Sequence, residues 1–463
     1  MRYFFETYGC QMNSAESAAL VLACRERNWE IAPDGESADL VLLNTCSVRQ
    51  TAEQRVLGRI ALYASLKKKR HAAGSPFTLV VAGCMAERMG KSLMEQFPAV
   101  DYVMGTHARS MFPLILEAAE RQSADTSGVM RNADAVSGFA EKAVFGFSAS
   151  HLEEGQFRSF VPIMHGCNNF CSYCIVPYVR GREVSRDPAG ITAEIRLAGE
   201  RGVREITLLG QNVNTYRWTQ PVNGIPDGGL DFSGLLKLVA SSAEESGVKW
   251  VRFLSANPKD FSAETIRVMA ENPVFCRHLH LCVQHGSNRI LNAMNRGYTR
   301  EQYRALVKEI RAAMPGISLS TDILVGFPGE TTADLEETLA LMEEVQFLYA
   351  YMYHFNPREG TAACNLSGRI SEELKRERLA RVIALQKKHT AALLKSRIGS
   401  RELVLVEGIS RKNADELITR TERDEMAVVP GPASLIGSFA ELSLSGLRGN
   451  TFRAKELRPC PGA

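Results

Sequence analysis

The stretch Gly166-Cys167-Asn168-Asn169-Phe170-Cys171-Ser172-Tyr173-Cys174 follows directly on an apolar run at 160–165 and decides how the rest of the chain is read. Its three thiols, separated by three and then two residues, stand on one loop at the end of a strand. Thiolates are soft donors that suit iron–sulfur clusters. A loop this tight can hold three corners of a four-iron cluster and leave the fourth iron open. The same logic separates open catalytic metal sites from closed structural ones. A zinc knuckle is the alternative reading. Against it, Cys276 and Cys282 are the only later cysteines before Cys364, and no His pair at finger spacing accompanies them.

Downstream of the loop, strand-like runs recur at 204–209, 249–254, 277–283, 317–325 and 348–355, with helical patterns between them. About six βα units result, over a domain of 151–390, which predicts an open or partial (βα)6 barrel. A basic helical stretch ends near Arg397. Over 395–460 the pattern changes to short strand-like runs at 402–407, 425–429 and 438–443, broken by Gly and Pro, as in a small β-barrel.

Upstream, 119–150 is rich in Ser, Ala, Asp and Gly without periodicity and reads as a linker. Residues 1–118 alternate again. Strands are expected at Arg2–Thr7, 38–44 and 77–82. A helix capped by Asn13, with Glu16 completing a capping box, runs to Asn28, a second helix covers 51–70, and a third ends before Pro98. The fold class is therefore α/β: an N-terminal open parallel α/β domain, a partial barrel and a C-terminal small β-barrel.

A second set of thiols, Cys10, Cys46 and Cys84, is scattered in sequence, yet each follows one of the first domain's three predicted strands. In an open parallel sheet those C-terminal ends share one edge, where ligands bind. Gly9 and Gly83 precede two of them and let the backbone bend around a bulky group. Taken singly, each cysteine could be a small buried hydrophobe. Cys24, Cys276, Cys364 and Cys460 lack partners in spacing and read as structural.

Composition bounds these readings. The chain has 463 residues, 45% hydrophobic and 23% charged, which is ordinary for a core-forming protein. Fifty-five Lys and Arg against 52 Asp and Glu leave a net charge of +3, so a nucleic-acid surface must be local. No apolar run reaches the roughly 18 residues that span a bilayer, and the start lacks a signal-peptide pattern. A cytoplasmic location follows. Eleven cysteines there point to metal or redox chemistry rather than disulfides.

The first loop resembles the radical S-adenosylmethionine (SAM) motif. Thr7-Tyr-Gly-Cys10-Gln-Met-Asn13, Asn44-Thr-Cys46-Ser-Val-Arg49 and Gly83-Cys84-Met-Ala-Glu-Arg88 resemble the N-terminal domain of the methylthiotransferases. Gly166 to Gly181, Gly210-Gln-Asn-Val213 and Ser320-Thr-Asp-Ile-Leu-Val-Gly-Phe-Pro-Gly-Glu330 are similar to further stretches of that family, and the tail is similar to a TRAM domain, an RNA-binding barrel. The residues around Cys10 resemble the MiaB-type branch, which acts on dimethylallyladenosine in tRNA.

The resemblance implies two [4Fe-4S] clusters, with Cys167, Cys171 and Cys174 holding the one that binds SAM and Cys10, Cys46 and Cys84 holding an auxiliary cluster that presents sulfur. Reductive cleavage of SAM would give a 5′-deoxyadenosyl radical able to take hydrogen from C2 of the adenine, and methylthio would replace it. The cofactor carries the hard step while the protein supplies position and dryness. Gln211, Asn212, Gln284 and Asp322 lie at or near the C-terminal ends of barrel strands and are expected to line the SAM pocket. Each could equally be a polar residue that shapes its loop. Arg180, Arg182 and Arg186 could meet a carboxylate or phosphate, or lie in solvent.

Implied partners are a tRNA anticodon stem-loop and an electron donor such as flavodoxin or ferredoxin, with the enzyme a monomer. Nine Lys or Arg against Glu377 alone, from Lys375 to Arg401, form the expected phosphate-binding run. Lys67-Lys68-Lys69-Arg70 is a second run, which serves as well as a solvated helix cap. Two positions depart from the family pattern: Cys282, where Pro is usual, and Asn257, where His is common. The same chemistry on threonylcarbamoyladenosine tRNA or a ribosomal-protein aspartate is the alternative. A non-catalytic iron–sulfur protein that binds RNA is the reading from another class.

Overall fold

Every residue of Leu40–Thr45 and Thr78–Gly83 is buried, as expected of central strands covered on both faces. In the computed structural model, which describes residues 1–47, 50–124, 147, 151–220 and 229–460, these two strands lie at the centre of a five-stranded sheet. Its order is Glu30–Ile31, Arg2–Thr7, Leu40–Thr45, Thr78–Gly83, Tyr102–Met104, and all neighbours are parallel. Side chains alternate between the faces. Leu40, Leu42, Val80 and Ala82 pack with Leu20 and Cys24 of helix Gln11–Glu26 and with Phe112, Ile115 and Leu116 of helix Phe112–Ala124. Val41, Leu43, Leu79 and Val81 pack with Val56, Ile60 and Tyr63 of helix Gln50–Ala72 on the other face. Burying each such side chain contributes about 1.5–3 kcal/mol.

The chain divides into two compact units. The first comprises Met1–Leu152, Phe160–Asn168 and Ile175–Arg186; the second comprises Glu153–Ser159, Asn169–Cys174 and Asp187–Ala463. Helix Phe112–Ala124 runs through the first residues of the expected 119–150 linker, and most of the remainder lies outside the described residues. The first helix begins after Cys10, not Asn13, whose side chain instead reaches across the sheet edge. The helix expected before Pro98 is two, Cys84–Met89 and Lys91–Gln96, parted at Gly90 with φ 52°.

In the second unit, Glu205–Leu209 pairs in parallel with Trp250–Phe253, and His278–His280, Ser318–Val325 and Tyr349–His354 form a second parallel set. Single parallel bridges at Val251–Phe275 and Ala256–Leu281 join the two sets. The helices between begin where Asp187, Asp231, Ser262, Thr299 and Thr331 accept backbone N–H bonds. Thr299 and Thr331 form full capping boxes.

After helix Glu372–Ser396, five strands close a barrel in the order Arg401–Ser410, Asn413–Thr421, Met426–Pro430, Thr451–Pro459, Phe439–Arg448. Val404, Val406, Leu417, Val429, Leu442 and Phe452 fill it. Asn413–Thr421 and Thr451–Pro459 escape the sequence pattern because polar residues dominate their outward positions. This barrel is tied to the rest of its unit. Arg252 donates to the Thr421 and Glu422 carbonyls at 3.0 and 2.9 Å, and Trp250 meets Phe439 edge-on at 4.8 Å. No helix of the described residues is long and apolar enough to cross a membrane.

Candidate functional site: two cysteine triplets and a polar strand edge

Cys10, Cys46 and Cys84 follow three adjacent parallel strands, in the register Thr7–Asn44 and Thr45–Gly83, so their backbones reach one edge of the sheet at matching levels. Cys46 and Cys84 are buried and Cys10 is exposed. The edge is locked by the side chains of Asn13, which the sequence pattern assigns to a helix cap, and of Asn44 and Thr45. Asn13 Nδ2 donates to Asn44 Oδ1 at 3.0 Å and to the Thr45 carbonyl at 2.9 Å, while Asn44 Nδ2 returns a bond to the Asn13 carbonyl at 2.9 Å. The Cys10 thiol donates to Asn13 Oδ1 at 3.3 Å. Thr45 Oγ1 donates to the Ala82 carbonyl at 2.5 Å and accepts from the Met85 amide at 3.2 Å, fixing the Cys84 turn.

Space at this edge fits three converging ligands. Gly9 has φ 132°, and a Cβ there would lie 2.8 Å from Cys46 Cβ. Gly83 has φ 92°, and its Cβ would strike the Thr45 carbonyl at 2.5 Å. Burial pushes the Cys84 thiol up to about 11, with Cys46 and Cys10 adding to the rise and Arg180 opposing it. Metal coordination is what deprotonates such a thiol outright. Arg180 is itself buried, donating to Glu16 Oε1 at 2.6 Å. Arg109 also lies near, at 3.7 Å from the same oxygen. Burial alone would raise the Glu16 carboxyl, but the two guanidinium charges hold it below the usual range. Arg180 therefore meets a carboxylate of the protein's own, and Arg186 is buried and donates to the Pro162 carbonyl at 3.2 Å; neither lies in solvent.

On the Cys167–Cys174 loop, the backbone takes conformations that the sequence does not announce. Gly166 has φ 81°, and a Cβ there would lie 2.1 Å from the Arg182 carbonyl. Phe170 is left-handed at φ 45°, and the Cys174 amide donates back to the Cys171 carbonyl at 2.9 Å. Arg296 is a site residue that the sequence pattern does not single out. Its Nη1 donates to Cys171 Sγ at 3.2 Å, its Nη2 to the Cys282 carbonyl at 2.8 Å and its Nε to Tyr298 Oη at 3.1 Å. No spacing rule links Arg296 to a loop more than a hundred residues earlier.

Of the residues expected to line the SAM pocket, Gln211 and Asn212 follow strand Glu205–Leu209 and Gln284 lies beyond His278–His280, whereas Asp322 stands inside strand Ser318–Val325. Gln211 is half-buried and Asn212 is buried, with Nδ2 bonded to Asp260 at 3.1 Å and Oδ1 finding no partner among the described residues. Gln284 is left-handed at φ 70°, at a position bridged to Ile323. Asp322 lies 3.4 Å from His280 Nε2. Burial raises the Asp322 carboxyl, but the His280 hydrogen bond and charge bring it below the ordinary value. Asn257, at one of the two departures, caps the turn Pro258–Asp260 and exchanges bonds with Asn214.

The basic runs differ from expectation. Lys67 pairs with Asp101, and Arg70 bonds Asp39 at 3.1 Å and three carbonyls, so half of that run serves the fold. In the later run Arg378 is buried against Glu330 at 3.0 Å, and Arg397 pairs with Glu402 and Glu425. Arg376, Lys387, Lys388, Lys395 and Arg401 are exposed.

Comparison with known proteins places these features in a family. Residues 2–105 match Uncharacterized protein family UPF0004, residues 161–342 the Radical SAM superfamily and residues 395–455 the TRAM domain. The radical SAM match carries with it SAM and a [4Fe-4S] cluster. A solved structure of the radical S-adenosylmethionine methyltransferase TsrM from Kitasatospora setae shares the fold, with a TM-score of 0.57 and 17% identity over 76% of this chain and 74% of that one. The tRNA-2-methylthio-N(6)-dimethylallyladenosine synthase of Treponema pallidum (strain Nichols) is 48% identical over 98% of both chains. The enzyme of the same name from Treponema denticola is 47% identical over 98% of this chain and 99% of its own. The likeness spans every domain in order, and the chain belongs to the family of tRNA-2-methylthio-N(6)-dimethylallyladenosine synthases.

Proposed function

We propose that the protein transfers a methylthio group to C2 of N6-dimethylallyladenosine, next to the anticodon of tRNA, using SAM and two [4Fe-4S] clusters. The observation that carries the reading is the pairing, in one chain, of two separate cysteine triplets, in a sequence whose full-length relatives bear that activity in their names. Cys167, Cys171 and Cys174 hold the cluster that binds SAM, and Cys10, Cys46 and Cys84 hold the auxiliary cluster. When bound, these groups supply reductive cleavage of SAM and a sulfur for transfer. The chain's part is placement. Gln211, Asn212, Gln284 and Asp322, at or near the C-terminal side of the barrel strands, orient SAM by hydrogen bonds. The unpartnered Asn212 Oδ1 supports that role, since a buried acceptor left without a partner costs about 1–3 kcal/mol until a ligand donates to it.

Exposed Lys387, Lys388 and Lys395, with Arg401 at the start of the terminal barrel, supply phosphate contacts that hold the anticodon stem-loop. The adenine is splayed from its loop to reach the barrel. The enzyme works as a cytoplasmic monomer with a flavodoxin- or ferredoxin-type electron donor. Cysteine replacement separates the two clusters' duties. Cys171→Ala abolishes 5′-deoxyadenosine formation, and its persistence would remove the SAM cluster from that loop. Cys46→Ala spares SAM cleavage and stops methylthiolation, and methylthio product from that variant would end the auxiliary assignment.

A further inference from the structure

Among the described residues, one group of three His, Cys or carboxylate side chains has its ligand atoms all within 4.8 Å of one another: His280, Cys282 and Asp322. It belongs to neither cysteine triplet. The strand register explains the convergence. His280 pairs with Ser320 on the neighbouring parallel strand, and Cys282 and Asp322 stand two residues further on, in the stretch where the pairing slips by one residue to Gln284–Ile323. Residues two apart on a strand share a face, which puts Asp322 on the side of Ser320, while Cys282 lies just past the end of strand His278–His280. The Gln284 amide bonds the Asp322 carbonyl at 2.9 Å just beyond, holding the two chains together there.

The second layer is also in place. His280 Nδ1 lies 2.9 Å from Ser320 Oγ, leaving Nε2 to face Asp322. A metal-binding imidazole is fixed in this way by a partner on its other nitrogen. The Cys282 backbone is held by Arg296 Nη2 at 2.8 Å and Tyr298 Oη at 3.1 Å, both donating to its carbonyl. Cys282 and Asp322 are half-buried, so the group opens to solvent on one side.

We infer that His280, Cys282 and Asp322 form a binding site for a zinc-class divalent metal ion, distinct from both cluster sites. One imidazole nitrogen, one sulfur and one carboxylate oxygen make a donor set of borderline softness that suits Zn2+ and disfavours Mg2+ or Ca2+. Three protein ligands leave a fourth, open position. Tetrahedral zinc holds its ligand atoms roughly 3.3–3.7 Å apart, a spacing that His280 Nε2 and Asp322 Oδ2 already have at 3.4 Å. On binding, the Cys282 thiol proton and any proton on His280 Nε2 leave to solvent, and the metal takes their lone pairs. Cys282 is the residue that completes the set; proline, usual at this position in the family, would leave only two ligands. Because Asp322 also stands in the proposed SAM pocket, zinc and SAM exclude one another, a consequence that rests on the functional reading above.

The test uses the full chain with its iron–sulfur clusters loaded. Zn2+ uptake is measured by elemental analysis and chelator competition, and Co2+ serves as the spectroscopic probe through its tetrahedral bands at long wavelength. Wild type is expected to take one metal ion, with tetrahedral Co2+ absorption. Cys282→Ala and His280→Gln should each weaken binding by about 100-fold with iron content unchanged, while Cys364→Ala, which removes a thiol elsewhere, leaves binding intact. Equal uptake by wild type and Cys282→Ala, or none by wild type, overturns the site. Displacement of zinc by SAM supports the shared pocket. Zinc retained at saturating SAM leaves the metal site standing and removes Asp322 from the SAM pocket.

Discussion

The Arg296 guanidinium donates a hydrogen bond to the Cys171 sulfur at 3.2 Å, with its two other nitrogens held by the Cys282 carbonyl and the Tyr298 hydroxyl. The charge is buried and held in place by those contacts. A cation and an N–H donor at a thiolate favour the more negative, reduced state of any cluster that the thiolate holds.

Replacing Arg296 with Gln is therefore expected to lower the midpoint potential of a cluster held through Cys171. A hydrogen bond to a charged group contributes about 1.5–3 kcal/mol, which sets an upper bound of roughly 65–130 mV for one electron. Arg296→Lys, which keeps the charge, recovers part of the shift. A potentiometric titration followed by electron paramagnetic resonance reads it, and a potential unchanged in Arg296→Gln contradicts the role.

Glu16 is a stability element of the first unit. Its carboxylate faces Arg180 at 2.6 Å and Arg109 at 3.7 Å in a buried setting. Removing one partner of a buried ion pair leaves the other uncompensated, at a cost of about 3–5 kcal/mol. Glu16→Gln should lower unfolding free energy by that order in denaturant titrations; a change below about 1 kcal/mol would show that water reaches the pair.

Asp424 gives the second unit a pH dependence. Burial raises its carboxyl, yet His278, Arg420 and Arg252 together bring it down to about 2 from an ordinary 3.8. A pKa depressed in the folded state contributes stability that is fully present above the unfolded value and is lost as pH falls through the folded one. About 2 kcal/mol should disappear between about pH 4 and pH 2. Unfolding midpoints of Asp424→Asn should lack that component over the same range, and parallel curves for the two proteins would refute it.

The two basic runs should separate in function. Lys387→Ala with Lys388→Ala removes two exposed charges, which predicts several-fold weaker tRNA binding and a salt slope shallower by about 1.5. Lys67→Ala breaks an ion pair with Asp101 and should lower stability without altering the slope. Filter binding across a salt series, beside thermal unfolding, distinguishes them. The reverse assignment would place the RNA surface on the first unit.

Much of this is legible in the sequence because strand ends are where α/β folds put their ligands. Three apolar runs alone assign Cys10, Cys46 and Cys84 to one edge, and the strand register puts their backbones at one level. What escapes is long-range pairing. Asn13 reads as a helix cap because it and Glu16 stand at capping-box spacing, yet its side chain clamps Asn44, thirty-one residues away. Glu16, the other half of that apparent box, neutralises Arg180. Arg296 carries no local signal, since its partner sulfur lies on a distant loop. Strands Asn413–Thr421 and Thr451–Pro459 are hidden by polar outward positions that a small exposed barrel tolerates. The left-handed Phe170 and Gln284 mark strain at the site, which residue type alone does not reveal.

The central claim is the reaction and its substrate, and nucleoside analysis of bulk tRNA by mass spectrometry, from cells with and without the gene, tests both together. Loss of the methylthio nucleoside with accumulation of N6-dimethylallyladenosine is the expected result. Unchanged N6-dimethylallyladenosine with loss of a different methylthio nucleoside would contradict the substrate, and no change in any tRNA nucleoside would contradict the reaction.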